Sequence, residues 1–471
     1  MKHWAILLTG SAVLAVSFLS ATSARAQEED TKPKPAARSN PLLIGAGDDQ
    51  DINQDTNDRL KPDNTPLTGV QIPTLGSPEL KHNYWMPGFQ YANTTRDNSS
   101  NWSTSNYLVG NISLLQAWSN AQLSLNYSGG GFVSAGSGSG NGYFQQLGFT
   151  QQFVWKRWQL QFLDQFSYLP DSQFGFGGAT NLGTPGVGGT ITPPQPGLGG
   201  GYVPNQSTFI AVGPRYSNSF ATQAVYALSA RGSITLAGSY GLLRFVQAGN
   251  IDNDDEIGSF GYNYELSKEN TLGVFYQFTA FHFKGIPQAF GYHVVNLAYG
   301  RKITGRLALQ LFGGPSVSTF RVPINNITSH TSGSGGANLT YGYLRGSLSV
   351  NFNHGVTGGS GVSVGSNTDQ IGVAAVRQIS RQWNGNANFG YARNRPIVAT
   401  TPQTAANYDS WFITGGLSRP LGRNASLIFG YTAYIQNTNQ VGCTTGSCSN
   451  TSTRHEISLG FQWHTRPYVL P

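Results

Sequence analysis

Tyr143 to Leu169 reads YFQQLGFTQQFVWKRWQLQFLDQFSYL. In its second half Trp158, Leu160, Phe162, Phe166 and Tyr168 share one parity, while Gln159, Gln161, Gln165 and Ser167 share the other with Leu163. Successive strand side chains point to opposite faces, so this is a strand with one apolar and one amide-and-hydroxyl face. Lys156-Arg157 marks a tight turn back to the preceding run. Asp164 falls on the apolar parity, and the favoured explanation is a local distortion at Leu163-Asp164 that exchanges the two.

The same alternation recurs along the chain. Ala121, Leu123, Leu125 and Tyr127 alternate with Gln122, Ser124 and Asn126, the cleanest period-two run. Asn384, Asn386 and Asn388 continue the polar parity near the other end of the sequence. Counting Tyr84–Ala92 and His455–Trp463 as single strands and the runs between them as eight hairpins predicts 18 strands. Sixteen follow if Tyr84–Ala92, weakened by Pro87, or the short pair Asn338–Leu344 and Ser347–Asn353 drops out. The short turns (Ser119-Asn120, Lys156-Arg157, Arg231-Gly232, 268–270) alternate with long stretches at 129–142, 170–206, 319–337, 394–408 and 436–453. Asp252 to Glu256 reads as an acidic loop.

Residues 1–26 have the basic start, apolar run and Ala24-Arg25-Ala26 site of a secretory signal peptide. No later apolar run approaches 20 residues, which excludes a helical membrane protein. Residues 27–82 hold 6 Lys/Arg against 10 Asp/Glu and little periodicity, and read as a disordered periplasmic linker or, through Leu67–Gly76, a partial plug. Residues 83–471, with 21 basic and 12 acidic residues, carry the strands. Charged residues are 11% and aromatics 12%, and Gly is 60 of 471, a balance suited to strands with one lipid-facing side.

Trp85, Trp118, Trp155, Trp158, Trp383 and Trp463 fall at the short-turn ends, and Trp102 and Trp411 at the other, as interfacial indoles do. Lys156, Arg157, Arg231, Lys268, Arg301, Lys302, Arg306, Arg345, Arg381, Arg419 and Arg423 cluster at the short turns. They read as a solvated rim or as a basic ring that favours anions. Together the signal peptide, alternating strands, basic short turns and Gly-rich loops resemble the Gram-negative outer-membrane β-barrel proteins, porin-like members included. The resemblance implies an antiparallel up-and-down barrel with short periplasmic turns, long outer loops and insertion by the barrel assembly machinery. The tail HTRPYVLP after Trp463 departs from the family habit of ending on an aromatic residue.

No catalytic constellation, cofactor site or metal site is expected. The seven His after residue 26 are scattered, and the Gly-rich fragments lie in loops with no following helix. The basic residues form no runs and the chain is exported, so nucleic acid is not an expected partner. Cys443 and Cys448 are expected to close a small disulfide loop. The expected function is passive diffusion of small polar solutes past Gln122, Ser124, Asn126, Gln159, Gln161, Asn384, Asn386 and Asn388, with a mild preference for anions. The alternatives are an interaction protein acting through its long loops and, more remotely, an outer-membrane hydrolase.

Overall fold

The computed structural model describes residues 83–98, 101–135, 140–169, 214–246, 248, 250–267, 269–324, 326–358, 364–397, 407–422, 424–438, 451–466 and 468–470, with the pairs 70–71 and 189–190. The signal peptide, most of 27–82, nearly all of 170–206, and 439–450 with both cysteines lie outside them, as do Lys268 and Arg423. Val70–Gln71 pairs in parallel with Gly189–Thr190.

Eighteen antiparallel strands close into a barrel, each bonded to the next and the last to the first. The first six are β1 (Tyr84–Asn98), β2 (Asn101–Ala117), β3 (Ala121–Ala135), β4 (Gly142–Val154), β5 (Trp158–Leu169) and β6 (Arg215–Ala227). Then come β7 (Gly232–Phe245), β8 (Asn253–Glu265), β9 (Asn270–Phe283), β10 (Ala289–Thr304), β11 (Leu307–Ile324) and β12 (Ile327–Tyr343). The circuit ends with β13 (Gly346–Thr357), β14 (Ser366–Gln378), β15 (Asn384–Pro396), β16 (Tyr408–Pro420), β17 (Ala425–Thr438) and β18 (Thr451–His464). Even a 12-residue strand, at about 3.3 Å per residue and a tilt of about 45°, spans roughly 28 Å, enough for an apolar band about 25 Å tall.

Residues paired across antiparallel strands share a face, so one parity can be followed round the whole barrel. On the face of Trp158 and Phe162, large apolar side chains are exposed, Leu108 at 63% and Leu297 at 57% among them. The opposite face carries buried polar residues, Gln277 at 2% and Asn296 at 0%. A soluble protein does the reverse. Oily outside and amide-rich within, in a sheet with no free edge, is the form of a transmembrane β-barrel.

Tryptophans mark both ends of this band. Trp118 and Trp155 sit in the tight turns, where their N–H groups bond Ala121 O at 2.7 Å and Trp158 O at 2.7 Å through the backbone. At the same end Trp158 packs on Tyr226 at 4.6 Å and Trp463 on Phe89 at 5.5 Å. At the long-loop end Trp411 packs on Tyr391 at 4.4 Å and Tyr168 lies between Tyr143 and Tyr216.

Several expectations are corrected. There is no distortion at Leu163-Asp164: both neighbouring registers run unbroken through them. Leu163 stays on the inner face because it has an apolar niche there, packed with Ala221 and Ala237. Asp164 stays on the outer face and accepts a hydrogen bond from Asn218. Residues 319–337 are not a loop: β11 runs to Ile324 and β12 starts at Ile327, with Asn326 in the turn at φ 64°. The stretches 129–142 and 394–408 shorten because β3 reaches Ala135 and β15 reaches Pro396. Asp254, Asp255 and Glu256 belong to strand β8 rather than to an acidic loop.

The doubted first strand closes the barrel. β1 pairs with β18 from Gly88↔His464 to Asn98↔Arg454. The tail then resumes the ladder, with Tyr84↔Val469 and Trp85↔Tyr468. Pro87 falls in the gap between the two pairings. Its carbonyl accepts from Thr465 N at 3.0 Å, so its own donor-less nitrogen faces the same interrupted edge, where little is lost.

Candidate functional site

The candidate site is the inner wall. Gln122, Ser124 and Asn126 of β3, Gln159 and Gln161 of β5, and Asn384, Asn386 and Asn388 of β15 all lie on the inward parity. The register brings some of them together. Gln122 pairs with Gln152, Gln152 with Gln161 and Gln161 with Gln223, so four glutamines cross four adjacent strands in one row. The three asparagines stand ten strands further round, stacked along β15. Gln161 is buried, Asn386 is exposed and the other six are half-buried. A row of amides offers donors and acceptors in equal measure and no net charge.

A second device shapes this wall. On the inner face several polar side chains lie directly over a glycine of the paired strand. A Cβ on Gly88 would strike Asn111, one on Gly372 would strike Asn351, and one on Gly416 would strike Asn386. Gly273 stands in the same relation to Asn263, and Gly241 to Asp255. In each case the two residues are register partners. Folding the side chain flat against the sheet keeps it out of the lumen. This gives part of the large glycine content a structural role that period-two reading does not reveal.

Charged groups also face inward, and sequence reasoning missed them. Arg96 of β1 and Glu456 of β18 are register partners at the barrel seam. Arg96 donates from Nε and Nη2 to Glu456 Oε2 at 3.2 and 3.1 Å, both residues largely buried. Arg215 and Asp255 are buried on the inner face too. Their parity was available in the sequence, but neither stands in a run clean enough to fix it. The wall is not uniformly polar either. Phe281, Phe283, Phe290, Tyr292, Val294 and Phe320, from β9, β10 and β11, form an apolar cluster towards the long-loop end.

Of the basic residues expected at the short turns, Arg301, Lys302 and Arg419 lie in the strand ends beside them. Lys156, Arg157, Arg231, Arg306 and Arg381 are exposed in the turns that close β4–β5, β6–β7, β10–β11 and β14–β15. Arg419 lies over the ring of Trp383 at 5.6 Å, its charge at the rim and its body on the aromatic band.

The histidines do not assemble a catalytic group among the described residues. His293 meets Tyr276 and His455 meets Tyr431 on the outward face. His354 is bonded to Asp369, which also accepts from Arg395. Among the described residues no set of three His, Cys, Asp or Glu is placed to hold a metal ion.

No protein-family model matches the sequence, and no curated protein does. Among solved structures the barrel is similar to Pseudomonas aeruginosa OccK5 (OpdH), with a TM-score of 0.41 and 10% identity over 83% of this chain and 99% of that one. It is similar also to Pseudomonas aeruginosa OpdK with vanillate, at a TM-score of 0.41 and 11% identity over 83% and 100% of the two chains. Acinetobacter baumannii OccAB1 gives a TM-score of 0.39 and 10% identity over 85% and 99%.

Proposed function

We propose that the protein is a porin-like channel of the outer membrane through which small polar solutes diffuse passively. One observation carries this reading: the inversion of faces, with amides and hydroxyls turned inward on a closed ring of 18 strands and apolar side chains turned to the lipid. A ring of that size encloses more than its own side chains can fill. Asn386 is exposed on its inner face, and the flattened asparagines reduce the intrusion of polar groups.

A solute moving along such a wall exchanges water for amide partners of similar strength. Passage then needs neither a tight site nor a conformational cycle. Neutral amides give little charge selectivity, and the basic turns at the short-turn mouth raise the local concentration of anions modestly. Short turns and both strand termini lie at that mouth, which is the periplasmic one by the usual organisation of such barrels.

The test is a planar-bilayer recording of the purified full chain. The expected result is stepwise, ohmic unit currents in simple salt. A barrel that inserts, keeps its heat-modifiable migration and passes no unit current overturns the reading.

A further inference from the structure

On the inner wall near the long-loop mouth, β8 presents an acid, Asp255. Asp255 is fully buried, and neither carboxylate oxygen has a hydrogen-bond partner among the described residues. Its side chain is folded over Gly241 of β7 towards Ser219 of β6, the next position in the same row. The Ser219 hydroxyl is buried and unpartnered too, as are those of Ser239 and the Oδ1 of Asn253, two residues along β8. The nearest cation in sequence, Arg244, lies on the outward face and is held by Asp254 and the carbonyls of Leu243 and Asn253.

The site is rich in acceptors and holds one carboxyl group. A buried carboxylate with no counter-charge is costly, so its chemistry asks for a cationic donor. Phe281, the β9 residue paired with Asp255, is fully buried beside it in the row. The Phe281 ring continues to Phe290 at 4.6 Å, and that of Phe290 to Phe320 at 6.1 Å. Oxygen acceptors beside aromatic rings suit a nitrogen cation, which takes charge-assisted hydrogen bonds on one side and ring contact on the other. A divalent metal would require more carboxylates than the one present.

We propose that Asp255 anchors a binding site on the lumen wall for an organic ammonium group, reached from the long-loop mouth. This rests on the channel reading, because the ligand arrives through the lumen. The ammonium donates to Asp255, with Asn253 and Ser219 as neutral acceptors, and its apolar body lies towards Phe281. Leu243 and Ile257, the inward neighbours on the two strands, are buried, so lumen side chains must part to admit it. Occupancy is therefore slow and long-lived rather than a fast flicker.

The experiment records single barrels in potassium chloride with phenylethylammonium on the long-loop side and phenylacetate as the control of opposite charge. Phenylethylammonium is expected to interrupt the current and phenylacetate to leave it open. Asp255→Asn, nearly isosteric, is expected to weaken the interruptions about 10-fold or more, the loss of one charge-assisted contact. Gly241→Ala, whose methyl displaces the carboxylate, is expected to weaken them as well. Equal interruption by both probes, or an Asp255→Asn barrel that responds like the parent, overturns the site and leaves the channel standing. If the protein passes no current, the channel reading fails by itself, and calorimetry of phenylethylammonium on the detergent-solubilised full chain decides the site. Binding lost in Asp255→Asn upholds it, and absence of binding to the parent overturns it.

Discussion

Asn218 of β6 donates from Nδ2 to Oδ1 of Asp164 on β5 at 3.0 Å, and both residues lie on the lipid-facing side of the barrel. Around the pair the outward face is aromatic. Phe149 and Phe220 flank Asp164 across the register, and Phe162 and Phe166 flank it along the strand. The hydrogen bonds from Asn218 and from the Gln165 backbone only partly offset the cost of holding a carboxyl in that band. The double substitution Asp164→Leu with Asn218→Leu removes both polar groups together and leaves neither unpartnered. It is expected to stabilise the barrel by about 1 kcal/mol, the low end of a lipid-facing acid's cost. Reversible urea unfolding from vesicles measures it, and a lower unfolding midpoint would refute the placement of this pair in lipid.

The seam gives the opposite sign. Arg96 and Glu456 join the first strand to the last inside the barrel, and both are largely buried. Glu456→Ala leaves the guanidinium without its carboxylate, and removing one partner of a buried pair costs about 3 kcal/mol or more. The loss is expected as earlier opening of the β1–β18 edge, read by hydrogen exchange of the Thr94 to Asp97 amides. Exchange unchanged at the seam while the midpoint falls would place the cost elsewhere.

These two pairs show what the sequence could and could not convey. Alternation is local, so the strand count, the short turns and the positions of Trp118, Trp155 and Trp158 were legible within a dozen residues. The facing of Leu163 was not, since its inner niche is built by Ala221 and Ala237, far along the chain. Reading apolar as outward fails wherever the lumen wall has an apolar patch. Pro87 argued against the first strand because a missing donor matters only if the ladder needs it. That depended on the tail after Trp463, whose pairing with Tyr84 and Trp85 is non-local. The Asn–Gly pairs belong to the register, which no single strand contains.

The tail itself can be tested. Trp85 and Tyr468 stack at 5.2 Å, and Leu470 N donates to Asn83 O at 2.9 Å. Removing residues 467–471 takes away that stack, worth about 1 kcal/mol, and the end of the ladder. Assembly into vesicles is expected to slow, with Tyr468→Phe behaving like the parent and Tyr468→Ala like the truncation. Identical assembly rates for all four chains would show that the segment has no part in closing the seam.

The basic turns predict a salt-dependent selectivity. Replacing Lys156, Arg157, Arg231, Arg306 and Arg381 by Gln should shift the reversal potential towards cations. The change is about twofold in permeability ratio at 0.1 M salt, where the screening length is about 10 Å. At 1 M, with screening over about 3 Å, parent and variant should converge. A shift that persists at 1 M would point to a charge inside the lumen rather than at its mouth.

The flattened asparagines yield a prediction about pore width. Asn386 of β15 lies over Gly416 of β16 and is exposed to the lumen, so its amide marks the free surface of the wall. A methyl group at position 416 would collide with Asn386 Oδ1 and lift the amide off the sheet. Gly416→Ala is expected to lower unit conductance and to cost about 1–3 kcal/mol, the usual strain of overpacking. Asn386→Ala in the same background removes the displaced amide and is expected to restore both. Gly372→Ala with Asn351→Ala repeats the arrangement on β14 and β13 and should behave in the same way. If Gly416→Ala lowers stability but leaves conductance unchanged, and the second substitution restores only stability, then Asn386 does not border the conducting path.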